Sequence, residues 1–300
     1  MKEDLQSAAA TGRRLIPWET LTALKGIAAI QVVLVHSPAY RSVADYLNPF
    51  NVAVVLFLFV QAFIVFSKLS SGERSVMSYF RLRQLRRMAL RVILPWALVD
   101  VLFAVFGFRC GYATDWIWNL GAFGPGSYYL MLYLLSYAAL PFLWLGLRAC
   151  GAGCLAAGVL VAVAMEFAYP SLLDFGGHPN LIYRCTPVRY LGVFVLAFVA
   201  VRWLRAGLTP RLRLAIAAWS LVSLALAYVR SLAPAYALPL PADYGWWICH
   251  LVYYVFPCGA ALLALEKLDA WPQWLLWVGR KSWWIFLAQM FGYAIWARFS

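Results

Sequence analysis

The chain is expected to be an all-α polytopic membrane protein, a helical bundle of about nine transmembrane helices in a single domain spanning residues 1–300. Composition is the first reason: 64% of the 300 residues are hydrophobic and 12% are charged, where a soluble domain carries about 25% charge. The second is the recurrence of apolar runs long enough to cross about 30 Å of hydrocarbon, at a mean hydropathy of +0.75. The third is the stock of 15 Trp and 17 Tyr, rings that gather at the two membrane interfaces.

In chain order the expected spans are Trp18–Ser37, Asn51–Phe66, Val92–Phe108, Tyr128–Leu147, Leu155–Tyr169, Val188–Trp203, Leu214–Val229, Tyr244–Leu265 and Trp274–Trp296. The first follows a polar segment, Met1–Glu19, that carries Arg13 and Arg14 and shows no cleavable leader. The second is rich in aromatics, with Phe57, Phe59 and Phe63, and the third opens on Pro95. Between the fourth and fifth, Cys150 and Cys154 stand one helical turn apart as small packing residues; the six cysteines show no metal-ligand spacing. No metal and no permanently bound cofactor is expected. Gly107–Ser127 and Tyr169–Pro187 carry Gly and Pro turn signals, and read equally as interfacial loops or as pieces folded back over the bundle.

The net charge of +13 sits in a few loops, so it reads as membrane topology, with no nucleic-acid partner. Lys68–Arg91, Arg202–Arg213, the start of the last span (Lys267, Arg280, Lys281) and Arg13–Arg14 all count to one side. The other side holds fewer cations: Arg41, Arg109, Arg184, Arg189, Arg230 and Arg298. The basic side is therefore expected to be cytosolic, with the N-terminus inside and, for nine spans, the C-terminus outside.

The most informative residues are Lys25 and His36, inside the first span. Eleven residues at about 100° each make three turns plus about 20°, so both side chains face the same way. They stand roughly 16 Å apart along the axis, half the hydrocarbon thickness. Ionisable groups at that depth usually face protein interior or a wet cavity. Lys25 has a second reading, snorkelling to the cytosolic interface. Glu166 and Asp100 also lie within spans. Glu166 has the geometry to pair with His36 or with Arg189, and Asp100 suits a structural pairing with a buried arginine. His250, two turns into the eighth span, suits acceptor binding or plain packing, and His178 reads as turn surface.

The run Leu24-Lys25-Gly26-Ile27 to Val35-His36-Ser37 resembles the first-helix signature of the acyltransferase-3 family of integral-membrane O-acyltransferases: a basic residue, ten residues, then His. Further matches follow in order over nearly the whole chain. Val54–Phe63 resembles the aromatic second helix, and Tyr79–Pro95, with its spaced arginines, the basic loop. Tyr128-Tyr129-Leu130 leading to Pro141 is similar to the fourth helix, and Val278–Leu287 to the late Gly-x-x-Ser-x-x-Ile-Tyr-Leu segment. The chain also departs from the pattern. Lys25 replaces the usual Arg and loses its bidentate fork; Gln61-Ala62 replaces Ser-Gly; Tyr129 and Gln289 stand where many members have His. The family also has about one helix more than the nine counted.

The resemblance implies transfer of an acyl group, acetyl in the simplest case, from cytosolic acyl-CoA to a hydroxyl of a saccharide or lipid-linked glycan on the extracytoplasmic side of a bacterial inner membrane. His36 is then the general base that takes the hydroxyl proton as it attacks the thioester, oriented by Ser37 or by an acidic group. Lys25 steadies the donor partway along the cavity. Arg83, Arg86, Arg87 and Arg91 are the acyl-CoA-binding candidates, with topology and lipid headgroups as the alternative use of such charges. Glu166, His250 and Arg189 are acceptor-side or orienting candidates. The departures leave a rival open: a catalytically inactive accessory or transporter-like protein that keeps the fold.

Overall fold

The computed structural model describes residues 17–37, 52–106, 128–172, 185–232, 247–268 and 270–299. Eight long helices run through them: α1 (Trp18–His36), α2 (Ala53–Ser70), α3 (Leu94–Val105), α4 (Tyr128–Leu172), α5 (Leu191–Ala206), α6 (Pro210–Leu232), α7 (Trp247–Lys267) and α8 (Gln273–Phe299). No strand occurs among the described residues, so the all-α expectation holds. Among the described residues, five stretches are long and apolar enough to cross a membrane: Trp18–His36, Ala53–Ser70, Tyr128–Ala149, Pro187–Ala206 and Pro210–Tyr228.

The nine expected spans correspond to eight helices, because Tyr128–Leu147 and Leu155–Tyr169 fall within the single run α4. Gly151 and Gly153 weaken a helix but keep their N–H groups, and no proline lies between Pro141 and Pro170 to break the ladder. The run is nevertheless not straight. Trp144 donates its indole N–H to Ser70 Oγ at 3.1 Å, at the C-terminal end of α2. A Cβ at Gly158 would lie 3.4 Å from Val195, a residue roughly 15 Å back along α5 from Arg205. Arg205 itself reaches the Ser67 carbonyl, so a straight continuation past Trp144 would carry Gly158 roughly 21 Å in the wrong direction. The chain must turn back within α4.

α2 is the centre of the bundle, with buried residues on nearly every side, and Phe66 meets Phe198 of α5 edge-on at 5.8 Å. Outer helices show the opposite pattern. Leu98, Val101 and Val105 of α3 and Leu214, Trp219 and Leu221 of α6 are exposed, as lipid-facing side chains should be. α1 and α8 pack closely because Gly26 and Gly279 let their backbones touch. A Cβ at Gly26 would stand 2.6 Å from the Leu275 carbonyl, and one at Gly279 would collide with the Thr22 carbonyl. Hydrogen bonds tie α1 down at both ends. Thr20 Oγ1 donates to the Leu268 carbonyl, just past α7, at 2.6 Å, and Tyr293 of α8 donates to the Val33 carbonyl at 2.6 Å.

The same contacts gather the basic segments. The Lys68 ammonium stands 5.1 Å over the Trp18 ring, Arg205 donates to the Ser67 carbonyl at 3.2 Å, and Arg213 grips the Glu266 carboxylate at 2.6 Å. Trp18, Lys68, Arg205 and Arg213 therefore share one face of the bundle. On that face the chain leaves α2 through a short 3-10 turn (Val76–Phe80), then a helix (Leu82–Met88) that widens into a π turn (Ala89–Ile93) before α3. Pro95 explains the widening: it has no N–H for the Arg91 carbonyl four residues back.

Candidate active site

A cavity of about 440 Å³ opens on the basic face, between α1, α2, α4, α8 and the loop that follows α2. α1 brings Lys25 to it, seven residues in from Trp18, and the lysine lines the cavity wall. Lys68, Arg74, Arg91 and Arg280 line the same cavity, making five cations with no carboxylate among its lining residues. So many like charges repel one another unless an anion or water screens them. The arrangement favours negative charge in the cavity.

Deeper in, the wall becomes aromatic. Tyr129, Tyr133 and Tyr137 follow at i, i+4 and i+8 on α4, so helical periodicity stacks them along one face. Tyr129 is wedged between Phe57, ring centroids 5.7 Å apart, and Phe286 at 5.6 Å. Phe286 stacks in turn on Trp283, 5.5 Å away, and Trp283 on Trp96 at 6.1 Å. Gln61 donates from Nε2 to the Tyr133 carbonyl at 3.3 Å, which ties α2 to α4 at the cavity wall. Tyr137 donates to the Tyr79 carbonyl at 3.1 Å, fastening the loop to the ladder. Burial, partly countered by the Arg74 charge, pushes the Tyr79 phenol up to about 12. It stays a neutral donor over any working pH.

His36 is elsewhere. It closes α1, half-buried, with its ring edge-on to Tyr293 at 6.3 Å, and it is not among the residues that line the cavity. α1 is unbroken from Trp18 to His36, so the roughly 16 Å rise between Lys25 and His36 stands. Ser37 donates its hydroxyl to the Leu34 carbonyl at 2.7 Å, a local turn bond at the end of α1. Residues 38–51, which follow His36, lie outside the described ones.

The remaining candidates are dispersed. Arg91 lines the cavity, whereas Arg83 lines a neighbouring hollow and Arg86 and Arg87 are exposed and line neither. Arg189 sits at the N-terminal end of α5, its guanidinium 5.8 Å from the Tyr190 ring and its carbonyl accepting from Tyr254 at 2.9 Å. The side chains of Glu166 and His250 lie outside the described residues, as does His178. Asp100 is on α3 with Oδ1 buried and without a described partner. Of the family departures, Gln61 and Tyr129 are cavity residues, while Gln289 is buried in α8 outside its lining.

Sequence reasoning used Lys68, Arg74 and Arg280 only as topology charges and passed over Tyr133 and Tyr137. The Tyr-x-x-x-Tyr-x-x-x-Tyr spacing was the available signal for the ladder.

No curated protein and no solved structure matches the chain. The family model of acyltransferase-3, described as an acyltransferase domain, matches residues 18–300, which takes in every element of the cavity. A membrane bundle with an anion-attracting cavity on its basic face is thus the form that this chain gives to the acyltransferase-3 family, to which it belongs.

Proposed function

We propose that the protein is an O-acyltransferase of a bacterial inner membrane, with its N-terminus and basic face cytoplasmic. It moves an acyl group, acetyl in the simplest case, from acyl-CoA to a hydroxyl of a saccharide or glycolipid at the extracytoplasmic face. The observation that carries this reading is the cavity with five cations and no lining carboxylate, narrowing into tyrosines. A coenzyme A thioester has the matching form: phosphates at one end and a long, nearly uncharged arm carrying the acyl group at the other. Arg74, Arg91, Arg280 and Lys68 take phosphates by charge-assisted hydrogen bonds, and Lys25 steadies the arm.

Lys25 and His36 cannot act on one atom, since roughly 16 Å separates them along α1. For His36 to serve as base, the thioester must reach the far end of α1 while the phosphates stay at the basic face, about 27 Å away along the helix from Trp18. There the acceptor oxygen attacks the thioester carbon, His36 takes the hydroxyl proton, the carbon–sulfur bond breaks, and the thiolate leaves to be protonated. His36→Ala should abolish acylation in membranes supplied with acyl-CoA and a glycan acceptor, while insertion and yield stay at wild-type levels. Wild-type rates in that variant remove His36 from the mechanism.

One observation favours a second reading, the inactive accessory or transporter-like protein: His36 stands outside the cavity lining, and Tyr129 and Gln289 occupy positions where many members have His. Purified wild-type protein that binds acyl-CoA but never releases free thiol in the presence of glycan acceptors would establish it.

A further inference from the structure

Beside the cavity, on the same face, lies a second hollow of about 340 Å³. Its wall is polar: Arg74, Arg81 and Arg83 supply three guanidiniums, Glu73 one carboxylate, and Ser75 and Ser78 hydroxyls. Three guanidiniums against one carboxylate leave the lining with a net positive charge. Arg74 and Gln84 line both spaces, so the two hollows share a wall. Arg74 is fixed there. Its guanidinium stands 5.3 Å over the Tyr79 ring, and its backbone N–H donates to the Lys68 carbonyl at 3.2 Å. One space is cation-rimmed and aromatic within; its neighbour is polar and shallow.

The donor has the same division, an arm joined through a diphosphate to a nucleotide with a separate 3′-phosphate. We propose that the Gly72–Gln84 hollow is a second anion subsite, joined to the tyrosine-lined cavity at Arg74, in which Arg81 and Arg83 take a phosphomonoester. Resting on the acyl-CoA reading above, that group is the donor's 3′-phosphate. Arg74, on the shared wall, then faces the diphosphate. A lipid phosphomonoester has the same chemistry, so the test must separate the two sources.

The full chain in phosphatidylcholine nanodiscs, titrated calorimetrically with coenzyme A and with 3′-dephospho-coenzyme A, provides that test. A charge-assisted contact at an exposed site should make coenzyme A roughly tenfold tighter than the dephospho form. Arg81 and Arg83 are exposed, so Arg81→Gln with Arg83→Gln should leave packing intact. The double variant should bring the ratio close to one while the melting temperature holds. Equal wild-type affinities, or an undiminished ratio in the variant, overturn the subsite and leave the acyl-CoA reading standing. A wild-type ratio near one in neutral discs, with phosphatidic acid retained by wild type and lost by the variant, assigns the arginines to lipid instead. Binding of neither nucleotide overturns the donor reading and this inference with it.

Discussion

Lys25 shows how far one helix can be read without its neighbours. Its spacing from His36 places both on one stripe of α1, and Lys25 does line the cavity. The stripe gives direction only. Which helices stand opposite is decided by the bundle, and at the His36 end α8 supplies Tyr293, so that the imidazole meets a ring there. The arginines divide for a similar reason. Arg86 and Arg91 differ by five residues, about 140° on an ideal helix, and the π turn over Ala89–Ile93 shifts the register further. Arg91 therefore lines the cavity while Arg86 and Arg87 do not. Removing charge at Arg91 and Arg280 together should weaken acyl-CoA binding at least tenfold, and the Arg86/Arg87 pair should change it less than threefold. Isothermal titration compares the two, and a larger loss from Arg86/Arg87 would move the donor off the cavity. Lys25→Leu should lower kcat/KM roughly tenfold or more, whereas Lys25→Arg keeps the charge and adds a forked donor. A Lys25→Leu enzyme with wild-type kcat/KM would leave the lysine as a screened cavity charge only.

At the scale of elements, the features read correctly were those set by local chemistry, apolar length and the proline at the head of α3, while the tyrosine spacing was there to be read and was passed over. Close helix approach was not legible, because Gly26 and Gly279 look like any other glycines in an apolar run. Their meaning comes from the Leu275 and Thr22 carbonyls opposite them. The two runs either side of Gly151 and Gly153 read as two spans, and the turn back within α4 agrees with two passes; what was not legible is that the helical run continues between them. The glycine contact makes a direct prediction. Gly279→Ala drives a methyl into the Thr22 carbonyl, a backbone atom that cannot rotate away, and should cost about 1–3 kcal/mol. Gly146 has nothing within 4 Å of a new Cβ, so Gly146→Ala should leave the bundle as stable as before or slightly more so. Thermal unfolding in one detergent compares them. A Gly279→Ala melting temperature equal to that of Gly146→Ala would mean that α1 and α8 are not in backbone contact.

For the whole molecule, the sidedness of charge links the packing to the chemistry. The contacts of Lys68 with Trp18, Arg205 with Ser67 and Arg213 with Glu266 bring separate basic segments to one face without any counting of spans. The cavity opens on that face, and coenzyme A is made in the cytosol, so the proposed donor route requires that face to be cytoplasmic. The Lys and Arg excess independently favours the same orientation. Val188, in the turn before α5, marks the opposite end, because α5 runs from there to Arg205 at the basic face. Single cysteines placed at Glu73, Thr209 and Val188, all exposed, in a background without the six native cysteines make this testable. An impermeant maleimide added to spheroplasts should label the Val188 position and spare the other two until the membrane is opened. Labelling of Glu73 and Thr209 but not Val188 would invert the protein and turn the cationic cavity away from the cytosolic thioester. A polyanion on the extracytoplasmic side would then be the ligand to seek, because the five lining cations would still need one.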